Sequence, residues 1–217
     1  MTVRRFGVPA LTGTLDGVPA QRPAPARPGR VRDLRGSRAA GPRRLGFAAG
    51  DIVVVSGLPG GGKSTLIKRA AGGGAIDSQD TRERWERRTR GVLPYALYRP
   101  VVRAAHYWGL WRVVRSGASV VVHDCGSQTW VRRLLAGAAR RRGRALHLLL
   151  LDATAGEALA GQAERGRRVS AYAFARHRAA AARLIRAAEA GRPPAGCASV
   201  TLLDRPSAAA VTRITFH

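Results

Sequence analysis

A lysine and a serine stand at the end of a glycine-rich segment, where they could bind phosphate. Residues 57–64 read Gly-Leu-Pro-Gly-Gly-Gly-Lys-Ser, which fits the pattern G-x-x-x-x-G-K-[S/T] at every fixed position. The apolar run 52–55 before it is typical of a buried parallel strand, and residues 65–71 after it are typical of a helix. Glycines let the backbone curl so that several N–H groups face one anion, and a helix N-terminus adds its own N–H groups and positive dipole end. We therefore expect this phosphate loop to bind a nucleotide through Gly57, Leu58, Pro59, Gly60, Gly61, Gly62, Lys63, Ser64 and Thr65.

Lysine is rare in this chain, and one of its lysines stands where the phosphate loop needs it. The 38 basic residues include only two lysines, Lys63 and Lys68, and all the others are arginine. A compact ammonium on a flexible stem is not equivalent to a planar guanidinium in such a site. We expect Lys63 to reach the β- and γ-phosphates and the Ser64 hydroxyl to ligate Mg²⁺.

A carboxylate is needed as a second ligand for the metal. Asp124 ends the apolar run Ser-Val-Val-Val-His-Asp, which would place it at the carboxyl edge of the sheet, beside the phosphates. Asp152, which ends a second apolar run, is the competing candidate. We favour Asp124 because polar residues follow it, although either aspartate could instead be a helix N-cap.

A phosphoryl acceptor needs a general base, and two further aspartates stand after another short strand. The segment 76–82 reads Ile-Asp-Ser-Gln-Asp-Thr-Arg and leads into an arginine-rich stretch typical of a helix. A carboxylate there could orient an acceptor hydroxyl and take its proton. Asp80 is the first choice for the base and Asp77 the second. An N-cap role for Asp80 is equally open and compatible with the first role.

An arginine-rich loop, residues 162–170, could close over the phosphates. It carries Arg165, Arg167 and Arg168 around Gly166, so it could supply positive charge to a transferred phosphoryl group. The alternative is a solvated turn in a protein that uses arginine throughout.

Strand and helix patterns alternate along the chain, which predicts an α/β fold with a parallel sheet covered on both faces. The five predicted strands are residues 52–56, 74–76, 119–123, 145–151 and 199–203. Residues 92–116 hold several tyrosines, tryptophans and arginines. This segment is either an amphipathic helix with its aromatic rings in the core, or a substrate-side lobe in which the rings stack on a ligand.

Composition adds limits on domains and partners. Residues 1–44 are rich in Pro, Arg, Gly and Ala and carry about +8 charges, so we expect a disordered basic tail before a single domain at 45–217. The net charge of +25 reflects either a compositional bias or a surface for nucleic acid. Two cysteines without a framework favour a reducing cytoplasm, and no apolar stretch approaches the roughly 20 residues of a membrane span.

The order of these motifs resembles that of the small ATP-dependent P-loop kinases often labelled AAA family ATPases. Their relatives include the phage polynucleotide kinase domain, zeta toxins and chloramphenicol phosphotransferase, and an actinobacterial branch is especially similar to residues 77–82 and 166–170. The resemblance covers about residues 46–204. It implies a three-layer fold with a five-stranded parallel sheet in the order 2-3-1-4-5, Asp80 as the acceptor base, and Arg165 and Arg168 as the lid arginines.

Two features limit what this resemblance implies. The relatives often read Asp-Ala-Thr-Asn after the third strand, whereas residues 124–127 here are Asp-Cys-Gly-Ser, so the role of the asparagine is open. The relatives also phosphorylate very different acceptors.

Together the motifs predict an enzyme that binds ATP and Mg²⁺ and transfers the γ-phosphoryl group to a hydroxyl of an unidentified small molecule or nucleotide. ATP is favoured over GTP because both lysines lie in or beside the phosphate loop, which leaves none for a guanine-specific N-K-x-D box. The alternatives are an ATPase or nucleotide sensor without phosphoryl transfer, and a basic nucleic-acid-binding protein.

Overall fold

The computed structural model of the protein describes residues 29–36, 43–71, 75–76, 108–123, 129–166 and 169–217. The helices are α1 (Lys63–Ala70), α2 (Thr129–Arg140), α3 (Ala155–Ala163), α4 (Ala171–Glu189) and α5 (Arg205–Ala210), and residues 108–116 are also helical. The strands are β1 (Arg30–Asp33), β2 (Arg44–Phe47), β3 (Ile52–Gly57), β4 (Ala75–Ile76), β5 (Val120–His123), β6 (Leu146–Leu151), β7 (Ser199–Leu203) and β8 (Arg213–Phe216).

One parallel sheet forms the centre of the fold, with six strands in the order β1-β7-β6-β3-β5-β4. Five of these strands, β3 to β7, are the five that the sequence predicts. Counted from β3 along the chain, their order is 2-3-1-4-5. The predicted α/β fold and its strand order are therefore confirmed, and β1 is an additional strand at the edge.

Strand β1 corrects the expectation that residues 1–44 are disordered throughout. Residues 30–33 pair in parallel with the first four residues of β7, and the Leu34 N–H donates to the Leu202 carbonyl at 3.0 Å. The strand carries three charged residues and a single apolar one, Val31, so no hydrophobic pattern marks it. Its backbone is satisfied instead by pairing with the edge of β7. Residues 1–28 and 37–42 of the predicted tail lie outside the described residues.

A second, two-stranded parallel sheet joins β2 to β8, and the sequence did not predict it. Leu45 and Ile214 are register partners in this sheet, and both are buried against the main core. Two strands of four residues are too short for a recognisable pattern, and they are about 170 residues apart in the sequence.

The main sheet is covered on both faces, which gives the three layers that the sequence predicts. Strands β3, β5 and β6 are almost entirely buried, as expected for strands with helices on both sides. On one face, alternate residues such as Val54, Val122 and Leu148 pack with the 108–116 helix, α2 and α4. On the other face, residues such as Val55, Val121 and Leu149 pack with α1, α5 and the small sheet.

The structure contradicts one of the two interpretations of the aromatic segment, residues 92–116. In the 108–116 helix the residues that enter the core are Leu110 and Val114. Trp108 and Trp111 are exposed, so a core role is wrong for these two rings. The tyrosines of this segment, Tyr95, Tyr98 and Tyr107, lie outside the described residues.

Within the described ranges, none of the helices combines the length and apolar character needed to cross a membrane.

Candidate functional site

The phosphate loop connects the central strand β3 to helix α1, as predicted. All six residues of β3 are buried, so the strand holds the start of the loop firmly within the sheet. The Gly61 N–H donates to the Leu58 carbonyl at 2.9 Å and closes a turn. Gly62 then caps α1 with a φ of 91°, a left-handed conformation that glycine adopts readily. The loop thus wraps back on itself before the helix begins.

Lys63 lies inside this wrapped loop. Its side chain is buried, and the Nζ atom donates to the carbonyl oxygens of Gly57 at 2.9 Å and Leu58 at 2.7 Å. A buried ammonium needs such oxygen partners because charge is costly to remove from water. The lysine is therefore held at the loop as a positive charge in a fixed place.

The N-terminus of α1 is suited to an anion. It has no side-chain cap and no acidic residue in its first turn, so no carboxylate of the helix neutralises its positive dipole end. The Ser64 side chain, in the first turn, is buried, and its Oγ atom has no hydrogen-bond partner among the described residues. A buried hydroxyl without a partner is costly, so this oxygen is well suited to a ligand such as a metal ion.

Helix α3 packs against the phosphate loop through two glycines. A Cβ atom on Gly161 would clash with the carbonyl oxygen of Gly60, and a Cβ atom on Gly60 would clash with the carbonyl oxygen of Ala158. Gly60 also has a φ of 87°, which disfavours any side chain. The backbones can approach this closely only because both positions are glycine.

Gln162, the next residue of α3, bridges the phosphate loop and the far end of the arginine-rich loop. Its buried side chain donates from Nε2 to the Pro59 carbonyl at 3.0 Å and accepts at Oε1 from the Val169 N–H at 3.1 Å. These two bonds connect segments that are more than 100 residues apart in sequence. Gln162 thus fixes the arginine-rich loop relative to the phosphate loop.

Arg165 reaches α1 from the arginine-rich loop. Its Nη2 atom donates to Thr65 Oγ1 at 3.0 Å, which brings two predicted site residues together. Both side chains are exposed, so the guanidinium remains accessible to a ligand. The second predicted lid arginine, Arg168, lies outside the described residues.

A cavity of about 270 Å³ lies beside the loop. It is slightly smaller than a typical pocket for a drug-sized molecule and suits one portion of a nucleotide. Arg69 of α1 secures one wall, because its guanidinium donates to the carbonyls of Ala208 at 2.5 Å and Val211 at 3.1 Å. The polar residues that line the cavity include Thr65, Asp152, Glu164, Arg165, Asp204 and Arg205.

Asp152, the competing metal carboxylate, is already paired. Its Oδ2 atom accepts a hydrogen bond from Arg35 Nη1 at 2.7 Å, and Arg35 also forms ion pairs with Asp33 and Glu189. Hydrogen bonding to Asp33, and then to Asp152, raises the pKa of the Arg35 guanidinium, whereas the Arg35 guanidinium lowers the pKa of the Asp33 carboxyl. Asp152 therefore has a fixed cation as its partner.

Asp204 directly follows β7, the strand next to β6, and it fixes the wall of the cavity. Its carboxylate accepts from the Gly36 N–H at 2.7 Å and caps α5 through Ser207. Burial alone would raise the pKa of Asp204, but these hydrogen bonds outweigh it and lower the pKa below its usual value. A charged acid thus anchors both the turn after β1 and the start of α5 beside the cavity.

The preferred metal carboxylate and both base candidates are outside the described residues. Asp124 follows directly after β5, the strand next to β3 in the sheet, and Asp77 and Asp80 follow β4, the strand beyond it. Their predicted roles remain predictions.

The wrapped loop, the buried lysine and the strand order define a P-loop nucleotide-binding protein. A family model described as AAA domain matches residues 52–190, which is well over half of the chain, and the chain therefore belongs to this family. No protein of curated function matches the chain. The predicted family is confirmed, whereas the actinobacterial branch stays a prediction.

Sequence reasoning missed several residues that shape the site. Gln162 begins the arginine-rich loop and Gly161 directly precedes it, but nothing in their spacing signalled a contact with the phosphate loop. Arg35 and Asp204 were missed because their roles depend on β1, which has no sequence pattern of its own. Arg69 acts through backbone carbonyls, and such contacts leave no signature in the sequence.

Proposed function

We propose that the protein is a Mg²⁺- and ATP-dependent kinase that transfers the γ-phosphoryl group of ATP to the hydroxyl of a small molecule or nucleotide. The observation that carries this proposal is the position of Lys63, buried in a wrapped loop with its ammonium held by two loop carbonyls. The strand order 2-3-1-4-5 is the order that the kinase resemblance implies, and it agrees with this proposal.

The phosphate loop and the start of α1 would bind the phosphates. Their backbone N–H groups would donate to phosphate oxygens, and Lys63 would neutralise charge on the β- and γ-phosphates. The Ser64 hydroxyl and Asp124 would hold Mg²⁺, which supplies positive charge beside the transferred group. The lack of a partner for Ser64 Oγ among the described residues supports this fit. The pairing of Asp152 with Arg35 favours Asp124 over Asp152 as the carboxylate ligand.

The nucleoside would occupy the cavity between the phosphate loop and α5. Arg69 and Asp204 hold its walls, and the cavity is continuous with the loop at Gly60, Gly61 and Gly62. A hydrogen-bonded, partly charged lining of this kind can orient a base or a ribose.

Asp80 would act as the general base. Its carboxylate would take the proton of the acceptor hydroxyl while the acceptor oxygen bonds to the γ-phosphorus and the bond to the bridging β–γ oxygen breaks, which leaves ADP. Arg165 and Arg168 would offset the charge that develops on the transferred group. The contact between Arg165 and Thr65 supports the delivery of positive charge to this end of α1. We place the reaction in the cytoplasm, in line with the cysteine content.

The test uses γ-labelled ATP, Mg²⁺ and a pool of metabolites and oligonucleotides, followed by mass identification of any product that gains phosphate. We expect Lys63→Ala to lose on the order of 10²–10³-fold in rate, the usual effect of removing a central charge-stabilising group. Lys68→Ala, which removes the exposed lysine of the same helix, is the matched control and should behave as wild type. Asp80→Asn should retain nucleotide binding and lose transfer.

The outcomes separate the functions. Label that appears only as free phosphate with every acceptor pool would favour an ATPase or nucleotide sensor. An Asp80→Asn variant with the wild-type rate would show that the base has been assigned wrongly. If Lys63→Ala and Lys68→Ala both bound and used ATP like wild type, the proposal would be refuted.

A further inference from the structure

Four large aromatic rings are exposed in the described part of the chain, although such rings usually carry much of the buried apolar area. The exposed fractions are 71% for Trp108, 41% for Trp111, 57% for Trp130 and 79% for Tyr172. All four are on the helices that cover one face of the sheet: the 108–116 helix, α2 and α4. The opposite layer, formed by α1, α5 and the small sheet, shows no exposed aromatic ring of this kind among its described residues.

Each of these rings is followed, one helical turn later, by an exposed arginine. Residues three or four positions apart are neighbours on a helix surface, so each ring has a guanidinium beside it. In one pair the contact is direct, because the Arg115 guanidinium lies 4.7 Å from the centroid of the Trp111 ring. The pairs are Trp108 with Arg112, Trp111 with Arg115, Trp130 with Arg133, and Tyr172 with Arg176.

The rings of α2 and α4 lie toward the same edge of the sheet as the phosphate loop. Helix α2 follows β5, so its first turn, with Trp130, starts near the carboxyl end of that strand. The first turn of α4, with Tyr172, follows α3 and is placed by a contact with the phosphate loop. Phe174, in the first turn of α4, packs in one cluster with Leu58 of the phosphate loop. Trp108 and Trp111 precede β5 on the adjacent helix and are separated from its start by a turn at residue 117.

Among the described residues, this face carries little negative charge. Residues 108–123 and 129–151 contain eight arginines and no aspartate or glutamate. Helix α4 adds Arg176, Arg178, Arg183 and Arg186, and its one acidic residue, Glu189, is paired with Arg35. The other described acidic residues are Asp33 on β1, Asp51 before β3, Glu157 and Glu164 at α3, and Asp152 and Asp204 after β6 and β7. This layer therefore carries twelve of the described arginines with few acidic residues beside them, although the opposite layer is also basic.

We propose that this Trp/Arg surface, the exposed side chains of the 108–116 helix, α2 and the first turns of α4, binds single-stranded nucleic acid. Aromatic rings can stack on bases only when the bases are unpaired, and arginines can contact the backbone phosphates and stack as well. Duplex would offer the phosphates without accessible base faces. The inference does not depend on phosphoryl transfer, because binding requires neither ATP nor the phosphate loop.

The experiment measures fluorescence anisotropy of labelled 20-mers with the full chain, without nucleotide. Single-stranded DNA, single-stranded RNA of the same sequence and the corresponding duplex are compared. We expect single strands to bind more tightly than duplex, and the affinity to fall by about 50-fold between 50 and 200 mM salt if four phosphates are neutralised. The DNA and RNA arms show which strand chemistry is preferred.

Variants separate base stacking from charge. We expect Trp108→Ala and Trp130→Ala each to weaken single-strand binding by about tenfold, the usual loss for one stacked base, and Trp130→Phe to restore most of it. Both rings are exposed, so an unchanged melting temperature confirms that the variants are folded. Arg112→Gln with Arg133→Gln should weaken binding, whereas the charge-matched control Arg44→Gln with Arg213→Gln, on the opposite face, should not.

Three results would overturn the proposal. Equal loss in the two arginine pairs would show that the attraction is only that of a basic protein for a polyanion. Tryptophan variants that bind like wild type would exclude stacking. A duplex that binds as tightly as the single strands would also exclude base stacking.

Discussion

Replacing Gly161 with alanine tests the close approach of helix α3 to the phosphate loop. The new Cβ atom would clash with the carbonyl oxygen of Gly60, which belongs to the loop backbone and not to a flexible side chain. Gly60 itself has a φ of 87° and cannot easily take another conformation without unwrapping the loop. Relief of the clash therefore requires α3 and the loop to move apart.

Two opposing effects set the size of the change. Alanine is favoured over glycine inside a helix by about 1 kcal/mol. Overpacking against a rigid neighbour costs about 1–3 kcal/mol, and it should win here because the contact is between backbones. We expect a net destabilisation of about 1–2 kcal/mol, or a melting temperature lowered by about 2–8 °C for a chain of this size. A loop displaced by about 1 Å should bind nucleotide more weakly and should lower the rate of phosphoryl transfer by up to about 100-fold.

The matched control is Gly156→Ala in the same helix. A Cβ atom on Gly156 would meet no atom within 4 Å, so only helix propensity changes. We expect this variant to be as stable as wild type or up to about 1 kcal/mol more stable, with unchanged nucleotide affinity. Thermal unfolding and calorimetry with Mg-ATP measure both quantities. If Gly161→Ala bound Mg-ATP like wild type and melted at the same temperature, the inferred role of this contact would be wrong.

Three further changes probe other contacts of the site. Gln162→Ala should lower stability by about 2 kcal/mol, since two hydrogen bonds of about 1 kcal/mol each are lost, and should weaken ATP binding; unchanged thermal unfolding would contradict this. Burial raises the pKa of the Cys197 thiol to about 11, so little of it is the reactive thiolate at pH 8. In a Cys125→Ser background, iodoacetamide at pH 8 should therefore label the folded protein about 100-fold more slowly than the unfolded chain, and the labelling rate should rise as the pH approaches 11. Fast labelling of the folded protein at pH 8 would refute this. Arg35→Gln should raise the pKa of Asp33 toward its usual value, as measured by carboxyl carbon NMR. In wild type the lowered pKa stabilises the fold above about pH 4, and this stabilisation is lost as the pH falls through the folded-state pKa, so the variant should lose this part of the pH dependence of stability. An unchanged Asp33 titration would count against the pairing.

Local patterns predicted most of the central fold. Each of the strands β3, β5, β6 and β7 is a mostly apolar stretch, and the structure reproduces its predicted bounds within one residue at either end. Such runs are legible because strands covered on both faces are apolar at nearly every position. The short strand β4 was also found, because it stands between the phosphate loop helix and the aspartates that follow.

The strands that the sequence could not predict are those whose stability comes from partners far along the chain. Strand β1 is mostly charged, and its backbone is satisfied by β7. Strands β2 and β8 are four residues each and depend on one another. The sequence also left open whether Trp108 and Trp111 lie in the core. In the structure the smaller side chains of Leu110 and Val114 lie in the core instead.

The sequence by itself determined the phosphate loop, because every requirement of that loop is local: glycines for the turn, a lysine and a serine at its end, and a strand and a helix on either side. Only the tertiary structure decided which groups surround it. Gly161 and Gln162 meet the loop across about 100 residues, Arg165 meets Thr65 across the same distance, and Arg35 reaches Asp152 from the far N-terminal side. Contacts of this kind depend on how parallel strands order themselves in the sheet, and that order depends on long-range packing rather than on any short pattern of residues.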